Sequence, residues 1–486
     1  MKTLPKLESR LIGRSEELQT LDEAFHSGRP EFVAVYGRRR VGKTFLIRKA
    51  FENKFAFQHA GLSGVGTDEQ LSEFARSMRK AFNYPFNVPD TWFDAFDALA
   101  GALPRRGRRK VLFLDELPWM DTPKSNFIPA LEHFWNGWAS TRDDIMLVVC
   151  GSAASWIVDK LIGGYGGLHD RLTHGIGLQP FTLGECRQFS ASRGLGLREA
   201  QILDAYLVFG GIPYYWDFLR KGESVAHAID RLCFSAKGEL RGEFDRIYAS
   251  LFRNPEPYLA VVRALGAKMS GLTKGEIVSA SGLTDNGRLT EVLKALENCG
   301  FVGRFRFPGK KVRDSIWHLV DPFSIFHLRF LDNPATPMSG DWLAGIGSPT
   351  RTVWQGLAFE QVCLGHVGQI KRALGIAGVS ANIFACRIPS GPNGEPGAQI
   401  DLVIDRADGI VDLCEMKHTR EAFAVSAEYR ESLLDKVAAY RREFKTGKAI
   451  QTVLVVSGGF RQNENADVVQ SVVSLPELFV DNLAPT

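Results

Sequence analysis

One segment constrains this chain more than any other: Gly37-Arg38-Arg39-Arg40-Val41-Gly42-Lys43-Thr44. It follows residues 31–36, an apolar run typical of a short buried strand, and precedes residues 45–51, which are typical of the start of a helix. Glycines let backbone N–H groups close around an anion, and the helix N-terminus adds a positive dipole. Strand, glycine loop and helix together predict a phosphate-binding P-loop, in which Lys43 reaches the β- and γ-phosphates and Thr44 binds Mg²⁺. The alternative is a glycine-rich turn that opens a basic helix.

Polar residues also follow two later apolar runs. Asp115 and Glu116 directly follow the apolar residues 111–114, which is the Walker B pattern. Asp115 would hold Mg²⁺ through water, and Glu116 would polarise the attacking water. Residues 145–150 lead to Ser152, which is a candidate sensor of the γ-phosphate. Ser152 is equally a candidate N-cap of the following helix, and both roles can hold together.

A glycine-rich loop at residues 163–172 carries Arg171 ahead of a further predicted strand at residues 175–178. An arginine on such a loop could stabilise charge on the transferred phosphoryl group, in cis or across a subunit boundary. The alternative for Arg171 is a surface ion pair.

Composition places limits on the class of protein. A chain of 486 residues with 45% hydrophobic residues predicts a globular protein of about three domains. The net charge of +4 permits contact with nucleic acid without arguing for it. Seven cysteines without a CxxC pair predict reduced, mostly buried thiols, and neither a secretory signal nor a membrane span is visible. The expected location is therefore the cytoplasm.

The chain resembles a known family in two further segments. Residues 11–18, with Gly13 and Arg14 ahead of two glutamates, resemble the first helix of the archaeal-type ATPases, which are AAA-related P-loop NTPases of the STAND class. Residues 210–214 resemble the GGxP motif of that family's helical lid. The resemblance spans residues 8 to about 325. It implies ATP and Mg²⁺ as cofactors, Gly13 and Arg14 near the base and ribose, and sensor-1 and arginine roles for Ser152 and Arg171.

The residues expected to hold the nucleotide are the loop and its flanking positions. They are Gly13, Arg14, Gly37, Arg38, Arg39, Arg40, Val41, Gly42, Lys43, Thr44, Asp115 and Ser152.

Residues 257–320 predict three helices followed by a hairpin, the order of a winged helix-turn-helix. One predicted helix carries an apolar stripe, and the hairpin is basic, so it could lie on the phosphates of DNA. The alternative is a structural lid or a contact with another protein. The basic residues of the hairpin are Arg304, Arg306, Lys310, Lys311 and Arg313.

Further along, residues 397–417 predict a β-hairpin that turns at an Asp-Gly pair. Asp401 and Glu415 are equally distant from the turn, so they would lie side by side, and Lys417 would share the face of Glu415. Two carboxylates and an ammonium predict a site for a hard cation with a lysine able to activate water. The alternative is a surface hairpin with a salt bridge between Glu415 and Lys417.

This arrangement resembles the D…ExK pattern of restriction-endonuclease-like, or PD-(D/E)xK, nucleases. The resemblance implies that Asp401 and Glu415 bind Mg²⁺ or Mn²⁺ and that Lys417 stabilises the hydroxide or the developing charge. Glu360 resembles the additional acid on the first helix of such folds. Lys436 and Tyr440, four residues apart on the next predicted helix, could face the site or lie at the surface.

The predicted fold is α/β: a P-loop NTPase core with a parallel sheet at residues 1–180, a helical lid at 181–254, a winged helix at 255–330 and an α/β nuclease-like domain at 331–486. The predicted function is ATP hydrolysis that controls a Mg²⁺-dependent nuclease-like domain acting on nucleic acid, with DNA as the partner and a possible homo-oligomer. The alternatives are a nucleotide-switched scaffold that cuts nothing and a DNA-binding regulator.

Overall fold

The computed structural model describes residues 11–104, 107–152, 154–163, 168, 171–305, 315–332, 338–392 and 394–480. The chain divides into two compact units, Met1–Pro180 and Phe181–Thr486. The first boundary coincides with the predicted end of the ATPase core, and the predicted subdivision of the second unit stays a prediction.

A parallel sheet forms the centre of the N-terminal unit. Its strands are β1 (Glu31–Gly37), β2 (Phe55–Ala60), β3 (Lys110–Asp115), β4 (Ile145–Gly151) and β5 (His174–Leu178). They lie in the order β2-β3-β4-β1-β5 and all pair in parallel. Every residue of β3 and β4 is buried, which fits a parallel sheet covered on both faces. The sequence predicted four of these strands and missed β2.

Helices cover this sheet. They are α1 (Ser15–His26), α2 (Lys43–Ala50), α3 (Thr67–Phe82), α4 (Trp92–Ala102), α5 (Leu117–Met120), α6 (Phe127–Gly137) and α7 (Ala154–Ile157). Short turns of 3₁₀ and π type follow at Ala139–Thr141 and Val158–Ile162. The core is rich in aromatic rings, and Trp92 packs edge-on against both Phe74 and Phe127. Since β1, β4 and β3 are neighbours, their carboxyl ends bring the P-loop, Ser152 and Asp115 to one edge of the sheet.

The C-terminal unit begins with helices. They are α8 (Leu183–Ser192), α9 (Glu199–Phe209), α10 (Pro213–Trp216), α11 (Val225–Ile229) and α12 (Glu243–Leu251), with a π turn at Asp230–Phe234. The GGxP motif joins α9 to α10. Gly210 ends α9 with φ of 56°, and a Cβ atom on Gly211 would lie 1.8 Å from the Phe181 carbonyl oxygen. Since the Phe181 N–H also donates to the Gly211 carbonyl at 2.7 Å, the two backbones touch, and the second glycine is required by packing.

The next segment has three helices and three short strands. They are α13 (Glu256–Ala267), β6 (Leu272–Thr273), α14 (Lys274–Ser281), α15 (Gly287–Asn298), β7 (Val302–Phe305) and β8 (Ile316–Leu319). The strands form an antiparallel sheet in the order β6-β8-β7. The elements follow the predicted order of three helices and then two antiparallel strands. Thr273 and Asn286 cap α14 and α15. The predicted turn, with Arg306, Lys310, Lys311 and Arg313, lies outside the described residues.

Four helices lead into the last sheet: α16 (Pro322–Phe330), α17 (Asp341–Ala344), α18 (Pro349–Gly365) and α19 (Val367–Ala373). The described part of residues 333–351 is held in place, although its prolines and glycines are typical of a linker or loose crossover. The buried Asp230 carboxylate accepts hydrogen bonds from Ser339 Oγ at 3.0 Å and from the Gly340 N–H at 2.8 Å. The Arg351 guanidinium lies 3.8 Å from the centre of the buried Trp342 ring. Burial and hydrogen bonding thus hold a segment whose prolines and glycines alone indicated looseness.

The last sheet is mixed. Its elements are β9 (Ala381–Ile388), β10 (Ala398–Arg406), β11 (Ile410–Lys417), α20 (Ala427–Phe444), β12 (Ala449–Val456) and β13 (Ser471–Ser474). The strand order is β13-β12-β11-β10-β9, in which β9, β10 and β11 pair antiparallel while β11, β12 and β13 pair in parallel. The 3₁₀ turns Glu464–Val468 and Leu475–Phe479 flank β13. One face of the sheet packs against Ala439 and Tyr440 of α20.

Two predictions on composition can be compared with the described residues. All seven cysteines are buried and outside disulfides, as the sequence predicted. No helix within the described ranges is long and apolar enough to cross a membrane.

Candidate functional site

The backbone of the glycine loop is tightly wound. φ is 141° at Gly37, 71° at Arg40 and 95° at Gly42, all in the left-handed region. At Gly37 a Cβ atom would also lie 2.3 Å from the Leu178 carbonyl oxygen, so only glycine fits there. The loop delivers the chain into α2, whose first backbone N–H groups have no partner inside the helix. This geometry creates an anion site at the end of β1.

Lys43 is the first residue of α2, and its side chain is buried. Its ammonium donates to the Gly37 carbonyl at 3.0 Å, to the Arg38 carbonyl at 2.9 Å and to Ser152 Oγ at 3.3 Å. These three acceptors match the three N–H donors of an ammonium group. The positive charge is therefore held directly over the loop that the sequence predicts to bind phosphates.

Thr44 and Asp115 meet beside the loop. Thr44 Oγ1 donates to Asp115 Oδ2 at 2.9 Å, and the Glu116 N–H donates to Asp115 Oδ1 at 3.0 Å. Asp115 ends β3 and is buried, so its position is set by the sheet. A hydroxyl and a carboxylate at this separation are the kind of oxygen donors that Mg²⁺ prefers.

Glu116 and Ser152 form a second contact at the same edge. Ser152 Oγ donates to Glu116 Oε1 at 2.6 Å, and the Ser152 N–H donates to Glu116 Oε2 at 3.1 Å. Glu116 has φ of 49°, the left-handed conformation that ordinary residues rarely adopt. The side chain of Ser152 thus pairs with both Glu116 and Lys43. The structure brings together every polar residue that the sequence placed at this edge.

The other predicted nucleotide residues lie at the start of α1 and within the loop itself. Gly13 and Arg14 have φ of 62° and 64°. The Arg14 guanidinium is buried and donates to the Gln179 carbonyl at 2.7 Å, which ties the start of α1 to the segment after β5. Arg38 and Val41 are buried, and Arg39 and Arg40 are half-buried.

Arg171 lies on an exposed turn, where its N–H donates to the Leu168 carbonyl at 3.1 Å. Residues 164–167, 169 and 170 of the predicted glycine-rich loop lie outside the described residues. The role of Arg171 stays a prediction.

In the C-terminal unit, the predicted hairpin is confirmed. Leu402 of β10 pairs with Cys414 of β11 in an antiparallel register, so Asp401 and Glu415 are the next positions along the two strands. The Met416 N–H donates to Asp401 Oδ2 at 3.0 Å. The register between β9 and β10 shifts between Ile400 and Val403, which places Asp401 at an irregularity of the kind that often re-aims a side chain beside a site.

Glu415 has partners that the hairpin pattern did not reveal. Lys436 Nζ of α20 donates to Glu415 Oε2 at 2.5 Å, and the Tyr429 hydroxyl donates to the same oxygen at 3.3 Å. The Lys417 ammonium lies 4.5 Å from the centre of the Tyr429 ring. Of the two residues left open on this helix, Lys436 therefore faces the site, whereas Tyr440 packs into the apolar cluster under the sheet.

The carboxyl groups of Glu360, Asp401 and Glu415 lie in an environment that disfavours their charged forms. Burial raises the pKa of Glu360 to about 8, with the negative charges of Asp401 and Glu415 adding to the effect. Burial raises the pKa of Glu415 to about 7, and Asp401 contributes there too. The pKa of Asp401 is also raised by burial, although the Met416 N–H opposes the shift. Such a cluster favours binding of a proton or another cation.

Whether these residues suit a divalent metal can be tested on their geometry. Among the described residues, Glu415 Oε1 is a buried oxygen without a hydrogen-bond partner, and carboxylates are the oxygen ligands that Mg²⁺ and Mn²⁺ take. Within the same ranges, however, no three His, Cys, Asp or Glu side chains are close enough to hold a metal together. The donor chemistry fits, and the contribution of Glu360 as a third ligand stays a prediction.

A small cavity beside the carboxylates has walls from two segments of the C-terminal unit. Its lining includes Glu360 and Asp401 from the site and Met269, Ile316 and His318 from the helix–hairpin segment. The turn that carries Met269 is held in place because the Arg387 guanidinium donates to Ser270 Oγ at 2.5 Å. Met269, Ile316 and His318 of the helix–hairpin segment therefore lie beside the carboxylate site.

The parallel sheet, the glycine loop and the acidic end of β3 define the N-terminal unit as a P-loop ATPase. Residues 11–217 match a family described as an ATPase domain predominantly from Archaea. The chain thus carries an archaeal-type ATPase domain, and the predicted resemblance is confirmed for that domain.

Three similar proteins extend this finding. An uncharacterised protein of Methanocaldococcus jannaschii is 26% identical over 336 residues, covering 66% of this chain and 68% of that protein. An uncharacterised ATP-binding protein of the same organism is 46% identical over 43 residues, covering 9% of this chain and 73% of that protein. The Walker-type ATPase of Pyrococcus abyssi has a TM-score of 0.50 and 20% identity, covering 68% of this chain and 99% of that chain, which shows a shared fold.

Proposed function

We propose that this chain is a STAND-type ATPase in which the nucleotide state controls a C-terminal, divalent-metal-dependent nuclease-like site acting on DNA. The observation that carries the second half of this proposal is the cluster of three carboxyl groups, the buried Glu415 and the half-buried Glu360 and Asp401, whose pKa values are raised. Carboxyl groups whose pKa values are strongly raised in a cleft commonly mark a functional site.

In the ATPase half, the N–H groups of residues 37–44 surround the phosphates. Lys43 binds the β- and γ-phosphates, and Thr44 and Asp115 hold Mg²⁺. Glu116 orients the attacking water. Arg171 stabilises charge on the transferred phosphoryl group, and Gly13 and Arg14 contact the base and ribose. The hydrogen bonds of Lys43 and Thr44 at the loop support the roles proposed for Lys43, Thr44 and Asp115.

In the C-terminal half, the order helix, three antiparallel strands, helix and parallel strand supports a PD-(D/E)xK nuclease-like domain at residues 331–486. Asp401 and Glu415 hold the metal with help from Glu360, and Lys417 stabilises the charge that develops on the phosphate. A divalent cation bound there would polarise the phosphodiester and the attacking water.

The segments between the two sites complete the proposal. Residues 181–254 act as a helical lid, and residues 255–330 act as a winged helix that contacts DNA. The wall that Met269, Ile316 and His318 form beside the carboxylates supports delivery of bound DNA to the site. Arg304 is less available than its sequence suggested, because it pairs with Glu297 at 3.3 Å and lies 5.4 Å from the centre of the Trp317 ring.

One observation favours a second candidate, a nucleotide-switched scaffold or DNA-binding regulator that cuts nothing. Lys436 already supplies a positive charge to Glu415 at 2.5 Å, as a structural ion pair would. In that case the C-terminal domain has a nuclease-like fold but does not cleave phosphodiester bonds.

Cleavage assays separate the two candidates. Plasmid, branched and single-stranded DNA are incubated with Mg²⁺ or Mn²⁺, with and without ATP. The nuclease proposal predicts that the wild type cleaves DNA and that Asp401→Asn abolishes cleavage while ATP turnover stays intact. Lys43→Ala should abolish ATP turnover. Asp435→Asn, on the exposed face of α20, is the matched carboxylate control and should cleave normally.

Thermal unfolding with added Mn²⁺ gives a readout independent of activity. Mn²⁺ should stabilise the wild type and not Asp401→Asn, because a ligand that binds only the folded state raises its stability. A wild type that neither cleaves DNA nor gains stability from Mn²⁺ would support the scaffold instead.

A further inference from the structure

A second cavity in the C-terminal unit is much larger than the one beside the carboxylates. Its volume is about 420 Å³ against about 20 Å³, so it has room for a small organic group where the other has room for one water molecule. α16 contacts both α13 and α18, and residues of these helices and of the turn after α13 line the cavity. None of the predicted site residues belongs to this lining.

The two cavities are neighbours. Met269 lines both of them, and the next residue, Ser270, lines the smaller cavity together with Glu360 and Asp401. A nucleic-acid strand bound at the carboxylates would therefore place a neighbouring nucleotide within reach of the larger cavity.

The lining of the larger cavity is mainly apolar. Met269, Ile325, Val353 and Leu357 contribute apolar side chains, and Val353 is 61% exposed. Among the described lining residues there is no Asn, Gln, Ser or Thr side chain of the kind that reads the edge of one particular base. Apolar walls of this kind suit the flat faces of a base, and every base has such faces.

Guanidinium groups lie at both cavities. Arg263 and Arg329 line the larger cavity, and Arg387 lines the smaller one. Arg263 pairs with Asp332 at 3.0 Å, whereas Arg329 and Arg387 form no ion pair within the part of the chain that the structure describes. Unpaired guanidinium groups beside two adjoining cavities match the charge of successive phosphates along a strand.

On the basis of the proposed nuclease function, we propose that the larger cavity binds an unpaired base of a single-stranded or flapped DNA substrate, while Arg329 and Arg387 bind adjoining phosphates. A base held in a duplex cannot enter the cavity. The site therefore selects unpaired DNA for the carboxylate centre, and it does so irrespective of base identity.

Equilibrium binding of two fluorescently labelled oligomers tests this proposal. One is a single-stranded oligothymidylate, and the other has the same length but carries abasic sugars throughout, so the two share only the backbone. Full-length Asp401→Asn protein is used with Mg²⁺ so that the oligomers stay uncut. The thymine oligomer should bind about tenfold more tightly, which is the contribution of one well-held base.

Cysteine substitutions in the lining report directly on occupancy. All seven native cysteines are buried, so N-cyclohexylmaleimide should react with the added thiol of Ala267→Cys or Val353→Cys, which are exposed positions of the lining. The thymine oligomer should slow that reaction, and the abasic oligomer should not. After alkylation the preference for thymine should disappear, while affinity for the abasic oligomer stays the same. Ala191→Cys, on the exposed face of α8, is the matched control for both measurements.

Arg329→Gln separates the phosphate contact from the base. This variant should weaken both oligomers to the same degree and lower the salt dependence of binding by about the contribution of one phosphate.

A thymine preference that survives alkylation, or equal protection of the thiol by both oligomers, would overturn the proposal, because the base is then held elsewhere. Cleavage of DNA by a wild type without this preference would overturn this inference alone and leave the proposed nuclease in place. If neither oligomer binds, both this inference and DNA as the partner of the proposed function are wrong.

Discussion

The carboxyl groups of Glu360 and Glu415 are unusual because the fold raises their pKa values to about 8 and about 7. The folded protein therefore keeps protons on these groups at pH values where the unfolded chain, with an ordinary value near 4.5, has lost them. Between about pH 4.5 and 8 the folded state binds more protons, so its free energy of unfolding falls as the pH rises. This cost is absent at low pH and greatest above the raised values.

Glu360→Gln should remove part of that dependence. The variant is expected to match the wild type near pH 5 and to be more stable than it near pH 8. The difference should reach up to a few kcal/mol, since each pH unit between the folded and unfolded pKa contributes about 1.4 kcal/mol. Chemical denaturation across this range measures it, with the exposed Glu421→Gln as a control that should keep the wild-type pH dependence. Parallel curves for Glu360→Gln and wild type would contradict the raised pKa.

Side chains from distant elements complete the C-terminal site. Lys436 and Tyr429 of α20 both donate to Glu415 Oε2, and neither lies in the hairpin that the D…ExK pattern identified. Lys436 and Tyr440 lie four residues apart on α20, so the sequence places them on similar sides of the helix. That spacing alone could not distinguish Lys436, which faces the carboxylate, from Tyr440, which packs into the core.

At the scale of elements, the junction between α9 and α10 depends on a close approach of two backbones. A Cβ atom on Gly211 would meet the Phe181 carbonyl oxygen at 1.8 Å and its nitrogen at 2.5 Å. These are backbone atoms, so relief requires α9 or the chain before α8 to move. The GGxP pattern therefore has a structural reason, whatever else it does.

Gly211→Ala should accordingly destabilise the C-terminal unit by roughly 1–3 kcal/mol or more, the usual range for overpacking. Gly275→Ala is the matched control, because a Cβ atom there meets no described atom within 4 Å and the residue lies inside α14. That control should be neutral or slightly stabilising, since alanine favours helix over glycine. Thermal unfolding of both variants measures the contrast, and similar melting temperatures would contradict the packing argument.

Elements with clear local patterns were predictable, and those defined by their neighbours were not. β1, β3 and β4 are apolar runs long enough to be recognised, and Thr273 and Asn286 are residue types that commonly cap helices. The edge strand β2 is only partly buried and contains Gln58 and His59, so it lacks the continuous apolar run of a central strand. β2 pairs with β3 because the backbone N–H and C=O groups at the edge of the sheet need hydrogen-bond partners.

At the scale of the whole molecule, the position of Arg171 on an exposed turn suits action across a boundary between subunits. If it acts in trans, mixing Arg171→Ala with Lys43→Ala subunits should restore hydrolysis that each variant lacks alone. A mixed interface can pair an intact P-loop with an intact arginine. Turnover of the mixture against its separate components measures this, once the oligomeric state has been determined. An oligomer whose mixture stays inactive would indicate a role in cis or in structure.

The sequence by itself determined what depends on local order: a glycine loop between a strand and a helix, acids at the end of a strand, and a hairpin with two facing carboxylates. Short-range sterics and hydrogen bonding specify these features within about 20 residues. Only the tertiary structure decided which distant side chains meet. Ser152 joins Glu116 to Lys43, Lys436 pairs with Glu415, and the Asp230 carboxylate accepts from the Gly340 N–H. These pairs are separated by 21 to 110 residues, and burial of polar groups, which must find partners inside the fold, brings them together.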